Sequence, residues 1–560
     1  MRKHAHSAAL LLLVTLAACE RATPPPVPPT AEPATPTAPQ FTGLGPHTRK
    51  VSTTSAEAQR HFDQGLAFLY AFNHDEARRS FEKASDLDPH LAIAHLGVAM
   101  TNGPHINFPM VPEPQAAAAR AALDKAKAAL TGASPSESAL INAADKRYAM
   151  PQPADRKPLD QAYADAMREA WRVHADDADV GALFAEALMD VRPWDQWTSD
   201  GKPQPGTAEV LATLEAVLAK APRHPLANHL YIHAIEASPE PAKADAAAEA
   251  LRDLTPGLGH MLHMPTHIDV RRGRWAAAIS SNNKAIEADT RYREQSSQLG
   301  FYGVYMAHNR HMLAFAAMMS GQRALALSSI RAMLDTMPPD WKRDNAVFVD
   351  GYTGMPIEVL LRFGEWEQVL KEPEPPEVAP IARALRLYGR GVALAALGRV
   401  KEAKAEQSAF LAAKAKVPSD AAFGNNGAAD LLGVAEHLLA GEILYREGKR
   451  DAAFAELRVA VKREDALRYD EPPDWIQPTR HALGAALLDA GRSREAEAVY
   501  REDLARLPEN VWSLRGLASS LRAQRKTAEA DDVETRLSVA GKDADVKPSS
   551  SCPCIPGAQR

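Results

Sequence analysis

The chain has 560 residues, a formal net charge of −6 and a pI near 6.4. With no polybasic stripe, these values argue against a nucleic-acid binder. It carries three cysteines, and two of them, Cys552 and Cys554, sit in a Ser/Pro-rich tail, which excludes a disulfide framework for the body.

The N-terminus reads as an export signal. Arg2 and Lys3 precede the apolar run Ala8 to Ala18, which is too short for a membrane-spanning helix of about 20 residues. The run ends in Leu16-Ala17-Ala18-Cys19, which resembles the lipobox of bacterial lipoproteins. That resemblance implies cleavage after residue 18, lipidation of Cys19 and anchoring in the cell envelope. Acyl chains bind a bilayer with about 0.8 kcal/mol per buried CH₂, so a multiply acylated Cys19 anchors stably. Residues 19–50 are dense in Pro, Thr and Ala and read as an extended tether. No later run is long and apolar enough to span a membrane.

From residue 51 the apolar spacing is helical almost throughout, and the chain repeats itself. In AEAQRHFDQGLAFLYAFNHDEARRSFEKASDLDP, Gly65 takes a small helix-contact position and Phe68 an aromatic one. Ala77, Phe81 and Ala84 line the second helix, and Pro89 ends it. These landmarks resemble the tetratricopeptide repeat, with His61 standing where that family usually has Trp. Similar hairpins follow at 385–415, 438–460, 482–508 and 510–537, with turn glycines Gly398, Gly448 and Gly491. The expected fold is all-α, a solenoid of roughly ten to thirteen helical hairpins, an architecture that grows without a single large core. The blocks are N-terminal repeats at 51–190, His-rich repeats at 191–345, C-terminal repeats at 346–540 and a disordered tail at 541–560. Pro-rich insertions near 103–116 and 192–206, with Phe108, Trp194 and Trp197, are expected to cap or narrow the groove.

Histidines concentrate on three consecutive first helices, 225–238, 259–272 and 307–320. With the repeat frame set by Pro256, Gly273, Gly321 and Pro338, positions two, five and nine, which the resemblance to tetratricopeptide repeats implies face the groove, hold His229, His233, His260, His263, His267, His308 and His311. Seven of nine such slots are His, where 19 His in 560 residues would give about a third of one by chance. Glu236 follows one turn after His233 on the same face. Imidazoles at i and i+4 can share a metal, and helices packed about 8–10 Å apart can bring several together. These seven are the candidate metal ligands, with Glu236 as base or further ligand. Pro265 should kink its helix or delay its start. Imidazole suits zinc, copper, iron and nickel, of which copper or zinc is expected; Met261, Met264, Met306, Met312, Met318 and Met319 add thioethers that favour copper, although methionine at helical spacing is usually core. The HxxxHxxE, HxxHMPxH and HNxH pattern resembles a group of bacterial tetratricopeptide proteins to which it attaches no activity.

Glu186 and Asp190 form an i,i+4 carboxylate pair that either supports the site from behind or, the preferred reading, is simply solvated. Asn282, Asp289 and Tyr292 fall on a second helix, normally the convex side. Tyr302, Tyr305 and Asn309 flank the third His helix as hydrogen-bond donors. Cys552-Pro-Cys554 reads as a metal-binding or redox-active pair. The functions left open are a metalloenzyme of oxidative or hydrolytic type, metal sequestration without turnover, and a non-enzymatic scaffold holding a peptide or partner protein in its groove.

Overall fold

The structure is a computed structural model that describes residues 38–296 and 299–555. The expected signal peptide, the lipobox-like run and Cys19 lie outside the described residues. Among the described residues the α-helices pair off into twelve hairpins, from Ala56–Tyr70 with His74–Leu87 to Val511–Ala523 with Thr527–Ala540. The fold is an all-α solenoid of tetratricopeptide-like helical hairpins. Among the described residues the one sheet is a two-residue pair, Ala422 opposite Gly427 and Phe423 opposite Asn426. No described helix is long and apolar enough to cross a membrane.

Steric fit between small and large residues builds the hairpins. A Cβ on Gly65 or on Gly97 would lie within 2.6 Å of the Phe81 ring, so two glycines from successive first helices leave the slot that this ring fills. The turn glycines Gly398, Gly448 and Gly491 take φ of 76–79°, the left-handed conformation that closes a helix C-terminus at no Cβ cost. Pro89 follows the end of the helix His74–Leu87, as its spacing predicts.

Buried apolar residues form two large clusters. One runs from Val51 to Ile268, with Tyr292, Tyr302 and Tyr305; the other runs from Val270 to Ile555. They meet on the His-bearing helices, inside the block 191–345 rather than at its edges.

Both expected loose ends are docked where they are described. Residues 38–50 form a strap rather than the end of a tether. Phe41 packs edge-on to Phe68 at 5.0 Å and stacks on Tyr292 at 5.6 Å. The Arg49 guanidinium donates to Asp177 at 2.6 and 2.8 Å and to Asp179 at 3.1 Å. In the tail, Asp545 accepts the N–H groups of Arg323 and Ala324 at 2.6 and 2.8 Å, capping the helix Arg323–Asp335. Arg362 donates to the Ser551 carbonyl at 2.5 Å, and Cys552 is joined to Cys554 by a disulfide. Pro and Ser content marked both segments as unable to build a core of their own, but they need none when the repeats supply it.

Candidate metal centre

The helix Pro225–Glu236 begins on His224, whose Nδ1 accepts the Ala227 N–H at 3.2 Å, with Pro225 at the first helical position. The next first helix is broken as Pro265 requires, into Gly259–His263 and Pro265–Arg271, because proline has no N–H to continue the ladder. The third runs Tyr302–Met319, starting five residues before the expected 307, so His308 and His311 lie further along it. The break does not separate His263 from His267. Their Nε2 atoms are 2.8 Å apart, and His308 Nε2 is 2.9 Å from His263 Nε2.

The histidines resolve into two triads. The ligand atoms of His229, His233 and His260 lie within 4.8 Å of one another, as do those of His263, His267 and His308. His229 Nε2 is 3.2 Å from His260 Nε2. His311 belongs to neither. It is buried beside Tyr352, with ring centroids 5.3 Å apart, and neither of its nitrogens has a hydrogen-bond partner.

The hydrogen bonds on the far side of each ring assign its tautomer. His263 Nδ1–H donates to Asn282 Oδ1 at 2.8 Å, and the Asn282 amide is oriented by its own N–H donation to the Ala278 carbonyl at 2.9 Å. His229 Nδ1–H donates to the Tyr70 carbonyl at 2.8 Å. Glu236 accepts from His233 Nδ1–H at 2.7 Å on one oxygen and from His267 Nδ1–H at 2.5 Å on the other. Four of the six rings are thereby held with Nδ1 protonated and an Nε2 lone pair aimed inward. This is the arrangement of metal-ligating histidines, whose other nitrogen donates to a carboxylate, a carbonyl or an amide oxygen.

Glu236 has a further role beside the expected one of base or ligand. Both its oxygens are hydrogen-bonded, so it ties the two triads together, and with His233 and His267 it also forms a set of ligand atoms within 4.8 Å of one another. Burial alone would raise its pKa, but the charges and N–H groups of His267 and His233 outweigh that and hold it at about 2. Burial pushes His229, His260, His263 and His308 well below the ordinary histidine value, so they are neutral at pH 7. In His267 the neighbouring Glu236 carboxylate overcomes burial and raises the pKa.

Facing lone pairs at 2.8–2.9 Å repel unless a cation lies between them. A proton on His267, balanced by Glu236, relieves one contact; a metal ion serves all three rings. With metal–nitrogen bonds of about 2.0–2.1 Å, tetrahedral ligands stand about 3.3 Å apart. The Nε2 pairs at 2.8, 2.9 and 3.2 Å need open by at most about half an ångström to reach that spacing. The residues fit such an ion.

The cluster is enclosed rather than displayed along an open groove. Five of its six histidines are buried, and His308 is partly covered. Phe72, at φ 55°, inserts its ring 4.5 Å from His229 and 5.8 Å from His260 and stacks on His105 at 4.8 Å. The two Pro-rich insertions meet above the site, as expected of caps. Trp194 Nε1–H donates to Asn107 Oδ1 at 2.9 Å, and Asn107 donates to the Tyr305 hydroxyl at 3.2 Å. Trp194 lies 5.3 Å from His233 and Tyr305 lies 4.4 Å from His260, ring to ring. A cavity of about 20 Å³ remains beside His233 and Glu236, walled by Ile106, Trp194 and Tyr469 among others. That is room for about one water molecule.

Sequence reasoning placed Asn282 on the outer face, yet its amide orients His263. It missed the Tyr70 carbonyl, Phe72 and Asn107, for which no periodic signal exists. Asp289, also expected outside, is buried against Tyr302 at 3.1 Å and Asn309 at 2.8 Å, and is pushed up to about 7 by burial. Tyr302 and Asn309 thus bond to Asp289, and the Tyr302 hydroxyl also accepts the His260 backbone N–H at 3.2 Å. Glu186 and Asp190 are not solvated. Both are buried, and Asp190 is paired with the buried Arg147. Met261, Met264, Met312, Met318 and Met319 belong to the apolar core.

In a third cluster, His47, Asp179 and His224, both carboxylate oxygens already accept hydrogen bonds. Asp179 accepts from Tyr70 at 2.6 Å and from Arg49 at 3.1 Å, with His47 and His224 at 2.9 and 3.1 Å. It pins the strap to the repeats.

No family model matches the chain, and no curated protein matches its sequence. Among solved structures, it is similar to a human IFIT1 dimer with m7Gppp-AAAA, at 13% identity over 87% of this chain and 91% of that one, with a TM-score of 0.35. It is also similar to yeast Tom70, at 12% identity over 88% and 92% of the two chains, with a TM-score of 0.28. Likeness this loose says nothing about what this chain binds.

Proposed function

We propose that this chain is a metal-binding tetratricopeptide protein of the cell envelope, anchored through lipidated Cys19, in which each histidine triad holds one copper or zinc ion. The observation that carries the reading is the convergence of inward Nε2 lone pairs whose Nδ1–H groups are already committed to Asn282, Glu236 and the Tyr70 carbonyl. An all-imidazole set suits either metal. A triad of protein ligands, one of which, His233, borders a water-sized cavity, suits the open position of a catalytic rather than a structural site. The reading therefore extends to a metalloenzyme, an oxidoreductase or hydrolase whose reacting ligand at His233 is about the size of water.

Elemental analysis of untagged protein, as isolated and after reconstitution with each metal, tests this. The expected result is two equivalents of one metal. Less than roughly a tenth of an equivalent after reconstitution refutes it. A partner protein captured at full stoichiometry by metal-free His229→Ala/His263→Ala protein, with no metal in the wild type, supports the scaffold instead.

A further inference from the structure

A second cluster of reactive groups lies far along the chain, on the docked tail. Cys552 and Cys554 are disulfide-bonded and buried. The helix Ala428–Arg446 places a Glu442 carboxyl oxygen within 4.8 Å of both sulfurs. The other features of this site do not suit a structural staple. A disulfide spanning one residue joins no two elements, and it closes the kind of short loop that stabilises least. The tail is held by other means. Arg362 and Arg446 donate to the carbonyls of Ser551 and Cys554, both at 2.5 Å, and the Ser551 hydroxyl donates to the His481 carbonyl at 2.8 Å.

Glu442 is the feature that needs explaining. Its side chain is buried, and Oε2 has no hydrogen-bond partner. A buried carboxyl without partners is costly unless it keeps its proton. Burial pushes this one up to about 8, against the opposing charge of Arg446 on the same helix. Tyr388, from the helix Pro380–Ala396, also faces it and is itself held protonated. The two sulfurs are not equivalent. The Cys554 backbone N–H points at Cys552 Sγ, 3.3 Å away, and stabilises negative charge on that sulfur.

We propose that Cys552, Cys554 and Glu442 form a thiol–disulfide exchange site that accepts two electrons from a dithiol, with Cys554 as the attacked sulfur, Cys552 as the leaving sulfur and Glu442 as the proton donor. One thiol of the donor, having lost its proton to solvent, attacks Cys554 Sγ as the thiolate. The Cys552–Cys554 bond breaks, and its electron pair goes to Cys552, which takes the Glu442 proton. The second donor thiol then attacks its partner sulfur in the mixed disulfide, giving its proton to the Glu442 carboxylate. The released Cys554 thiolate takes a proton from solvent. The donor ends as a disulfide and the protein as two thiols. Burial of both cysteines makes local opening of the chain around Ile555 part of the step, which favours small dithiols over bulky thiols.

The test uses the full-length native protein with dithiothreitol as the probe. Thiols are trapped with iodoacetamide and counted by mass spectrometry. Two thiols are expected to appear and to close again on removal of the reductant. Glu442→Gln should slow reduction at least about tenfold at neutral pH. That difference should vanish above about pH 8, where the wild-type carboxyl has lost its proton. In Cys552→Ser, the remaining Cys554 should form a mixed disulfide with an aromatic disulfide reagent. A disulfide that dithiothreitol reduces only in denaturant overturns the proposal, as does an equal rate in Glu442→Gln at every pH. Should the Gln variant fail to fold, the dithiothreitol arm on wild type still decides.

Discussion

Replacing Glu236 with Gln probes the join between the triads. The carboxylate accepts one N–H on each oxygen, at 2.7 Å from His233 and 2.5 Å from His267. A glutamine keeps one acceptor and presents N–H groups where the other was. One imidazole then faces donor against donor. It relieves the clash by moving its proton to Nε2, which removes the lone pair its triad needs. The loss is one hydrogen bond to a charged acceptor, about 1.5–3 kcal/mol. At 1.4 kcal/mol per factor of ten, metal affinity at one triad should fall roughly 10–100-fold, the range typical of an outer-shell partner. The other triad keeps its acceptor and should change far less. Competition with a chromogenic chelator resolves the two affinities, with circular dichroism confirming the fold. Wild-type affinity at both sites would falsify the role assigned to Glu236.

His263→Ala should lower bound metal by one equivalent, whereas His311→Ala should leave it unchanged, because His311 sits beside Tyr352 outside both triads; equal losses in the two variants would contradict the division. Asp289, pushed up to about 7 from an ordinary value near 4, binds a proton in the folded state that the unfolded chain has released, so its contribution to stability is full below pH 4 and is lost as pH rises through about 7. The shift is worth up to about 4 kcal/mol at 1.36 kcal/mol per unit. Asp289→Asn should flatten the decline of melting temperature between pH 5 and 8, and the free Asn309 Oδ1 can turn to accept the new amide; an unchanged slope counts against the assignment. Gly259→Ala would bring a Cβ within 2.1 Å of Asp289 Oδ1 and 2.9 Å of the Ala285 carbonyl, and should destabilise by roughly 1–3 kcal/mol in thermal melts. Cys19→Ser should abolish fatty-acid labelling and release the protein from membranes in a fractionation experiment; membrane retention without label would disprove the lipobox reading.

Much of this molecule is written in local spacing. Small and large residues at helical intervals, as at Gly65 and Phe81, specify the hairpins, and turn glycines such as Gly398 and Gly448 specify where they close. The same periodicity picked out six histidines that the fold gathers, because residues three and four apart on a helix must share a face. It picked out His311 equally, and helical spacing alone had no means to set it aside. Tertiary structure decided what each of these residues faces. The His229 partner is a carbonyl 159 positions away, at Tyr70. The His263 partner lies on a helix whose usual outward side hid Asn282. Glu236 became a bridge only because the neighbouring helix Pro265–Arg271 packs His267 against its second oxygen. The strap 38–50 and the tail read as loose because composition records what a segment can bury by itself, not what a distant surface offers it. Periodicity encodes the face of a helix; burial, tautomer and partner depend on chain segments that meet only in the folded solenoid.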